Sequence, residues 1–104
     1  MATERVERRL AAILAADVAG YSRLMGVDEE GTHKRLKAHF HQLIHPKIKE
    51  YRGRVVKNTG DGLLADFSSA VNGVRCAAEI QRGMLDREAK VAEERRLKFR
   101  IGMM

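Results

Sequence analysis

Three side chains in this sequence have the types and surroundings to do chemistry together. Asp17 closes the apolar run Leu10 to Ala16, and the glycine-containing turn Ala19-Gly20-Tyr21-Ser22 follows it. Asp61 stands between Gly60 and Gly62 with β-rich apolar stretches on either side, and Lys57 lies shortly before it. Two carboxylates held close together repel, and one pKa rises unless a cation sits between them. Oxygen-only ligands suit Mg²⁺ or Mn²⁺, and Mg²⁺ typically shares one or two carboxylates with substrate phosphates. Backbone amides in the turn 18–22 could donate to such phosphates. The plainer alternative has Asp17 capping its own turn and Asp61 filling a hairpin position that favours aspartate.

The elements that must position these groups can be read from pattern. An Asp-Gly pair between apolar runs signals a tight hairpin, in the type I′ form with positive φ at both central residues. It gives strands over about 54–59 and 63–67. The stretch 9–18 is short for a helix and reads as a buried central strand ending at Asp17. Asp28 is placed to N-cap a helix starting near Glu29. Leu36, Phe40, Leu43, Ile44, Ile48 and Tyr51 give that helix one apolar stripe. Pro46 predicts a kink or two consecutive helices, and Gly53 a C-terminal stop. Ser68 or Ser69 opens a second long helix, with Val71, Val74, Ala78 and Leu85 as its expected inner face. Gly73 and Gly83 lower its helix propensity and point to close packing on the sheet. Residues 86–96 read as a frayed end and a loop, and Leu97 to Ile101 as a half-exposed last strand.

The order β-α-β-β-α-β is that of the ferredoxin-like α+β sandwich, an antiparallel sheet with helices on one face. The sheet order of that fold is 4-1-3-2. The end of the first strand then lies beside the start of the third, so Asp17 and Asp61 are predicted to meet at one edge of the sheet.

Composition narrows the partners. The 104 residues carry a formal net charge of +6, which favours anionic ligands without choosing among them. No segment approaches the roughly 20 apolar residues of a membrane span. Cys76 is the only cysteine, so neither an internal disulfide nor a cysteine-based zinc site can form, and a reducing cytoplasm is expected. Its place among small residues reads as packing. The four histidines, His33, His39, His41 and His45, have no acidic or cysteine companion in their segment and read as surface or helix-end groups. Residues 1–8 read as a loose polar arm and 9–104 as one domain.

Ala16-Asp17-Val18-Ala19-Gly20-Tyr21-Ser22 and Val56-Lys57-Asn58-Thr59-Gly60-Asp61-Gly62 resemble the two metal motifs of the class III nucleotidyl cyclases, the catalytic domain of adenylate and guanylate cyclases. The resemblance spans about residues 8 to 102 and is nearest to bacterial adenylate cyclases whose domain opens with Arg-Arg-Leu-Ala-Ala-Ile-Leu. It implies conversion of ATP to 3′,5′-cyclic AMP and pyrophosphate in signal transduction. It also implies two Mg²⁺ or Mn²⁺ ions held by Asp17 and Asp61, with the Val18 carbonyl as a further ligand. By the same resemblance Gly20, Tyr21, Ser22 and Gly60 bind phosphates. Lys57 selects adenine, acting across a head-to-tail homodimer or a pairing with another cyclase domain. Family members continue past the equivalent of the last strand into a segment carrying an asparagine and an arginine that act in the transition state. Neither has a counterpart here, so the chain by itself is expected to turn over ATP weakly or not at all.

Two other functions remain in view. One is a cyclase-like regulatory module that binds metal or nucleotide only. The other is an RNA-binding sheet, which needs aromatic residues on the open face of the central strands. The first strand has none and the third only Phe67, so no nucleic-acid partner is expected.

Overall fold

A computed structural model describes residues 12–104. The expected arm and the first three residues of the predicted first strand lie outside the described residues. Strand β1 (Ala12–Val18) leads into a short helix α1 (Tyr21–Val27), then α2 (Glu29–His39), a π-helical turn (Phe40–Ile44) and α3 (His45–Glu50). The hairpin β2 (Gly53–Asn58) and β3 (Gly62–Phe67) follows, then α4 (Ala70–Arg87), a 3₁₀ turn (Glu93–Arg95) and β4 (Phe99–Met103). The sheet order is β2-β3-β1-β4, and every pairing is antiparallel. The fold is the expected ferredoxin-like α+β sandwich.

β1 is central but not buried on both faces. Ala12, Leu14, Ala16 and Val18 point into the core, while Ile13, Ala15 and Asp17 are half-buried on the other face. The helices pack on the first face only, where Leu14, Val18, Leu63 and Phe67 meet Leu36, Ile44, Ile48 and Ile80. Asp17 therefore lies on the face that the helices leave open.

Local chemistry explains most boundaries. The Asp28 carboxylate accepts from the Gly31 amide at 3.0 Å, and Glu29 and Glu30 occupy the positive first turn of α2. The predicted interruption near Pro46 takes the form of the π turn. The His45 amide bonds back to the Phe40 carbonyl, so the ladder loosens just before the residue that cannot donate. The stripe from Leu36 to Tyr51 packs inward as expected. Ser69, not Ser68, caps α4, its hydroxyl accepting from the Asn72 amide at 3.1 Å.

Five expectations need correction. The helical stop is Arg52, with φ 61°, and Gly53 instead opens β2. Gly53 is small because a Cβ there would collide with the Phe67 ring. The hairpin is not type I′, since none of Gly60, Asp61 and Gly62 takes a positive φ; the Thr59 amide closes it by donating to the Gly62 carbonyl at 2.9 Å. The inner face of α4 is Gly73, Cys76, Ile80 and Met84, whereas Val71, Val74, Ala78 and Leu85 face outward. Small residues win that face because α4 lies close to the sheet: a Cβ on Gly73 would press on Met103 and the Phe67 ring. Gly83 does not touch the sheet but makes room for Leu43 of the π turn. Finally, residues 86–96 are not frayed. Glu88 caps the Leu97 amide at 2.7 Å, and Arg96 donates to the Val91 carbonyl at 2.8 Å, which ties the segment down.

Candidate active-site cleft

The positions of the two acids follow from strand register. Asp17 pairs with Gly62 of β3 on one side and with Arg100 of β4 on the other. A Cβ on Gly62 would run into the Ala16 carbonyl, so only glycine lets β3 begin this close to the end of β1. Asp61, one residue earlier, is thereby brought to Asp17. Both acids line one open cleft of about 650 Å³, together with Thr59, Leu64 and Arg100.

A second, shallower hollow of about 400 Å³ shares Asp61 and Arg100 with the first. Its other walls are Val18, Gly20, Tyr21, Ser22 and Gly60. Gly20 takes φ 67°, a left-handed conformation suited to glycine, and this lets the chain turn from β1 straight into α1. Helix α1 was not visible in the sequence, where residues 19–22 read only as a turn. Apart from Lys57, every residue singled out for the site is thus at one end of the sheet. Lys57 lies exposed on the edge strand β2, opposite Leu64 and next to a bulge at Val56, and lines neither hollow.

Sequence reasoning missed Arg100. Its Nε donates to Asp17 Oδ1 at 2.9 Å and its Nη2 to Oδ2 at 3.1 Å, a two-pronged fork across the carboxylate. The hydrogen bonds and charge of Asp17, with Asp61 adding to them, hold the guanidinium above its ordinary pKa. Side-chain exposure is 69% for Arg100 and 45% for Asp17, so water competes for this pair. The signal was available in outline, because the expected sheet order already sets the last strand beside the first.

The donor set suits a hard cation. Asp17 and Asp61 offer oxygen only and face a cleft with room for a ligand that would complete the coordination. Among the described residues no three His, Cys, Asp or Glu side chains converge as a closed metal cage.

The histidines divide. His33, His41 and His45 line a separate groove of about 320 Å³ against the hairpin, as surface groups do. His39 departs from expectation, since it is 4% exposed and has an acidic partner in Glu88, far along the chain. Its Nδ1 accepts from Arg87 Nε at 2.8 Å, which leaves Nε2 to donate to Glu88 Oε2 at 3.0 Å. Burial holds the His39 pKa below its ordinary value despite Glu88. Burial also pushes the Glu88 carboxyl up, but the Leu97 amide, His39 and Arg35 outweigh it and hold the group below the usual range. Cys76 is wholly buried and its thiol is pushed up to about 11, chiefly by that burial, which fits a packing role.

The chain belongs to the class III nucleotidyl cyclase family, on the strength of relatives 48% and 47% identical to it. Over 103 residues it is 48% identical to the Rhizobium meliloti protein named "Putative adenylate cyclase 3", covering 99% of this chain and 18% of that protein. The crystal structure of an adenylate/guanylate cyclase/hydrolase from Silicibacter pomeroyi superposes with a TM-score of 0.82 at 47% identity, covering 89% of this chain and 54% of that one. A bacterial light-regulated adenylyl cyclase shares the fold, with a TM-score of 0.78 at 20% identity over 89% of this chain and 29% of its own. The chain thus spans about half of the Silicibacter structure and under a fifth of the Rhizobium protein. No protein-family model matches it. Among the described residues no helix is long and apolar enough to cross a membrane.

Proposed function

We propose that this chain supplies the metal-binding part of an adenylate cyclase active site. The observation that carries the proposal is the convergence of Asp17 and Asp61, distant in sequence, on one cleft. In this reading the two carboxylates and the Val18 carbonyl hold two Mg²⁺ or Mn²⁺ ions. Ions held there would supply positive charge against the triphosphate and would lower the pKa of the ribose 3′-hydroxyl. In the reaction the 3′-hydroxyl would give up its proton to solvent, its oxygen would bond to the α-phosphorus, and the α–β phosphate bond would break to release pyrophosphate. Gly20, Tyr21, Ser22 and Gly60 line the hollow beside Asp61 and would receive the phosphates.

Lys57 lines neither hollow and would serve the site of a second domain, donating to adenine N1 there. That division of labour makes the active unit a homodimer or a pairing with another cyclase domain. Residues 9–104 would act as one unit in that assembly, in the cytoplasm where ATP is found.

The second reading is a module that binds metal or nucleotide without turning it over. Two measurements separate the readings. Mn²⁺ binding, followed by electron paramagnetic resonance, is expected for the chain and should be lost in Asp17→Asn and Asp61→Asn. Cyclic AMP formed from ATP with Mn²⁺ supports the first reading, and metal binding without product supports the second. Mn²⁺ affinity unchanged by both substitutions overturns the site itself.

A further inference from the structure

The groove of about 320 Å³ between α2, the π turn and the hairpin loop has no part in the site described above. Its floor is apolar, made by Leu36 and the half-buried ring of Phe40. Its rim is basic: Lys37, His33, His41 and His45 line it, all of them exposed, and no acid among the described residues does. Asn58 and Thr59 of the hairpin close the far side. We infer that this groove is a ligand site in its own right, and that its occupant is a small aromatic carboxylate.

Three observations carry the inference. The basic groups are uncommitted: among the described residues, neither Lys37 nor any of these three histidines takes part in an ion pair. An ammonium supplies the counter-charge a carboxylate needs, and an imidazole can donate an N–H to it whether neutral or protonated. Next, the π turn gathers these groups on one side. An unbroken α-helix would turn His45 about 120° away from His33, whereas the extra residue of a π turn restores it to within about 20°. The bond from the His45 amide back to the Phe40 carbonyl makes that shift of register. Finally, the floor suits a ring. Phe40 lies 5.9 Å from the His45 imidazole between centroids, tilted by 39°, and packs edge-on against Phe99 at 5.7 Å, so β4 holds it in place. A further ring laid on this pair gains the offset and edge contacts that aromatic groups favour. The volume is at the small end of ligand sites, which begin near about 300 Å³.

The occupant would rest against Thr59 and Gly60, whose other sides line the cleft and the hollow around Asp61. The inference stands apart from what Asp61 binds, and its test needs no metal. Naphthoate is titrated into the ¹⁵N-labelled chain and followed by amide chemical shifts. Saturable shifts at Leu36, Phe40, Asn58, Thr59 and Gly60 are expected. Naphthamide keeps the rings without the charge, and octanoate keeps the charge without the rings; each should bind about three- to tenfold more weakly. Lys37→Gln should cost naphthoate about three- to fivefold, and the double variant His41→Gln, His45→Gln a similar factor. Lys90→Gln, an exposed lysine that does not line the groove, should cost nothing. Circular dichroism checks that each variant is folded. Naphthamide binding as tightly as the acid would reduce the groove to an apolar patch, and inorganic phosphate or octanoate binding as tightly would reduce it to a charged one. Either result overturns the inference. So do shifts confined to other residues, equal losses in Lys37→Gln and Lys90→Gln, or no saturation below about 10 mM.

Discussion

Two arginine–carboxylate contacts lie in different parts of this molecule and have opposite characters. At the open face, Arg100 holds Asp17 with both groups in reach of water. Beneath the helices, Arg35 and His39 hold Glu88, whose side chain is only 6% exposed and also receives the Leu97 amide. The buried carboxylate joins α2, the end of α4 and the approach to β4, and no buried side-chain polar atom among the described residues lacks a partner. The exposed one joins two neighbouring strands that are already hydrogen-bonded to each other. One contact ties distant elements together, and the other lies open to water between neighbouring strands.

The comparison breaks most visibly at Glu88. Glu88→Ala strips a buried amide, a histidine and an arginine of their acceptor and is expected to lower stability by about 3 kcal/mol in urea unfolding. A loss under about 1 kcal/mol would mean the network is incidental. The next largest effect belongs to the open face but to its backbone. Gly62→Ala should destabilise the chain by about 2 kcal/mol, because the new methyl meets the Ala16 carbonyl and must push β3 from β1. Its Mn²⁺ affinity should fall as well, since Asp61 moves with that strand.

Acid sharpens the contrast. His39 and Glu88 both have folded pKa values below their ordinary ones, so the unfolded chain takes up protons more readily. Their contribution is therefore complete at neutral pH. It declines as pH falls below 6.5 for His39 and again below 4.5 for Glu88. Unfolding midpoints measured from pH 7.5 to 4 should drop, and the drop should shrink in His39→Gln. The smallest expected effect is Asp17→Asn on stability, with a thermal midpoint within about 4 °C of the parent. A larger shift would place Asp17 with Glu88 as a maintaining group.

How far the sequence revealed this arrangement depended on whether the deciding contact was local. The Asp28 cap, the stripe Leu36 to Tyr51 and the hairpin around Gly60 were legible because neighbours in sequence decide them. The meeting of Asp17 and Asp61 was legible through the sheet order. The face of α4 was not, because Val71-Val74-Ala78 and Gly73-Cys76-Ile80 repeat with the same helical spacing. Only the nearness of Phe67 and Met103 selects the smaller set. The turn type was not legible, because the Asp61-Gly62 pair between apolar runs suggests positive φ at both residues, whereas the Thr59 amide closes the loop on Gly62 without it. Arg100 and Glu88 were missed for one reason: their partners lie 83 and 49 to 53 positions away. No short window of sequence contains such pairs.

The burial of Cys76 has a practical consequence. A lone thiol that resists ionisation and is shielded from solvent gives the native protein a nearly silent background toward maleimides and thiol spin labels. A cysteine introduced at Lys57 on the outer strand would be the only readily modified one. Label-to-label spacing could then be measured directly in whatever assembly the chain enters.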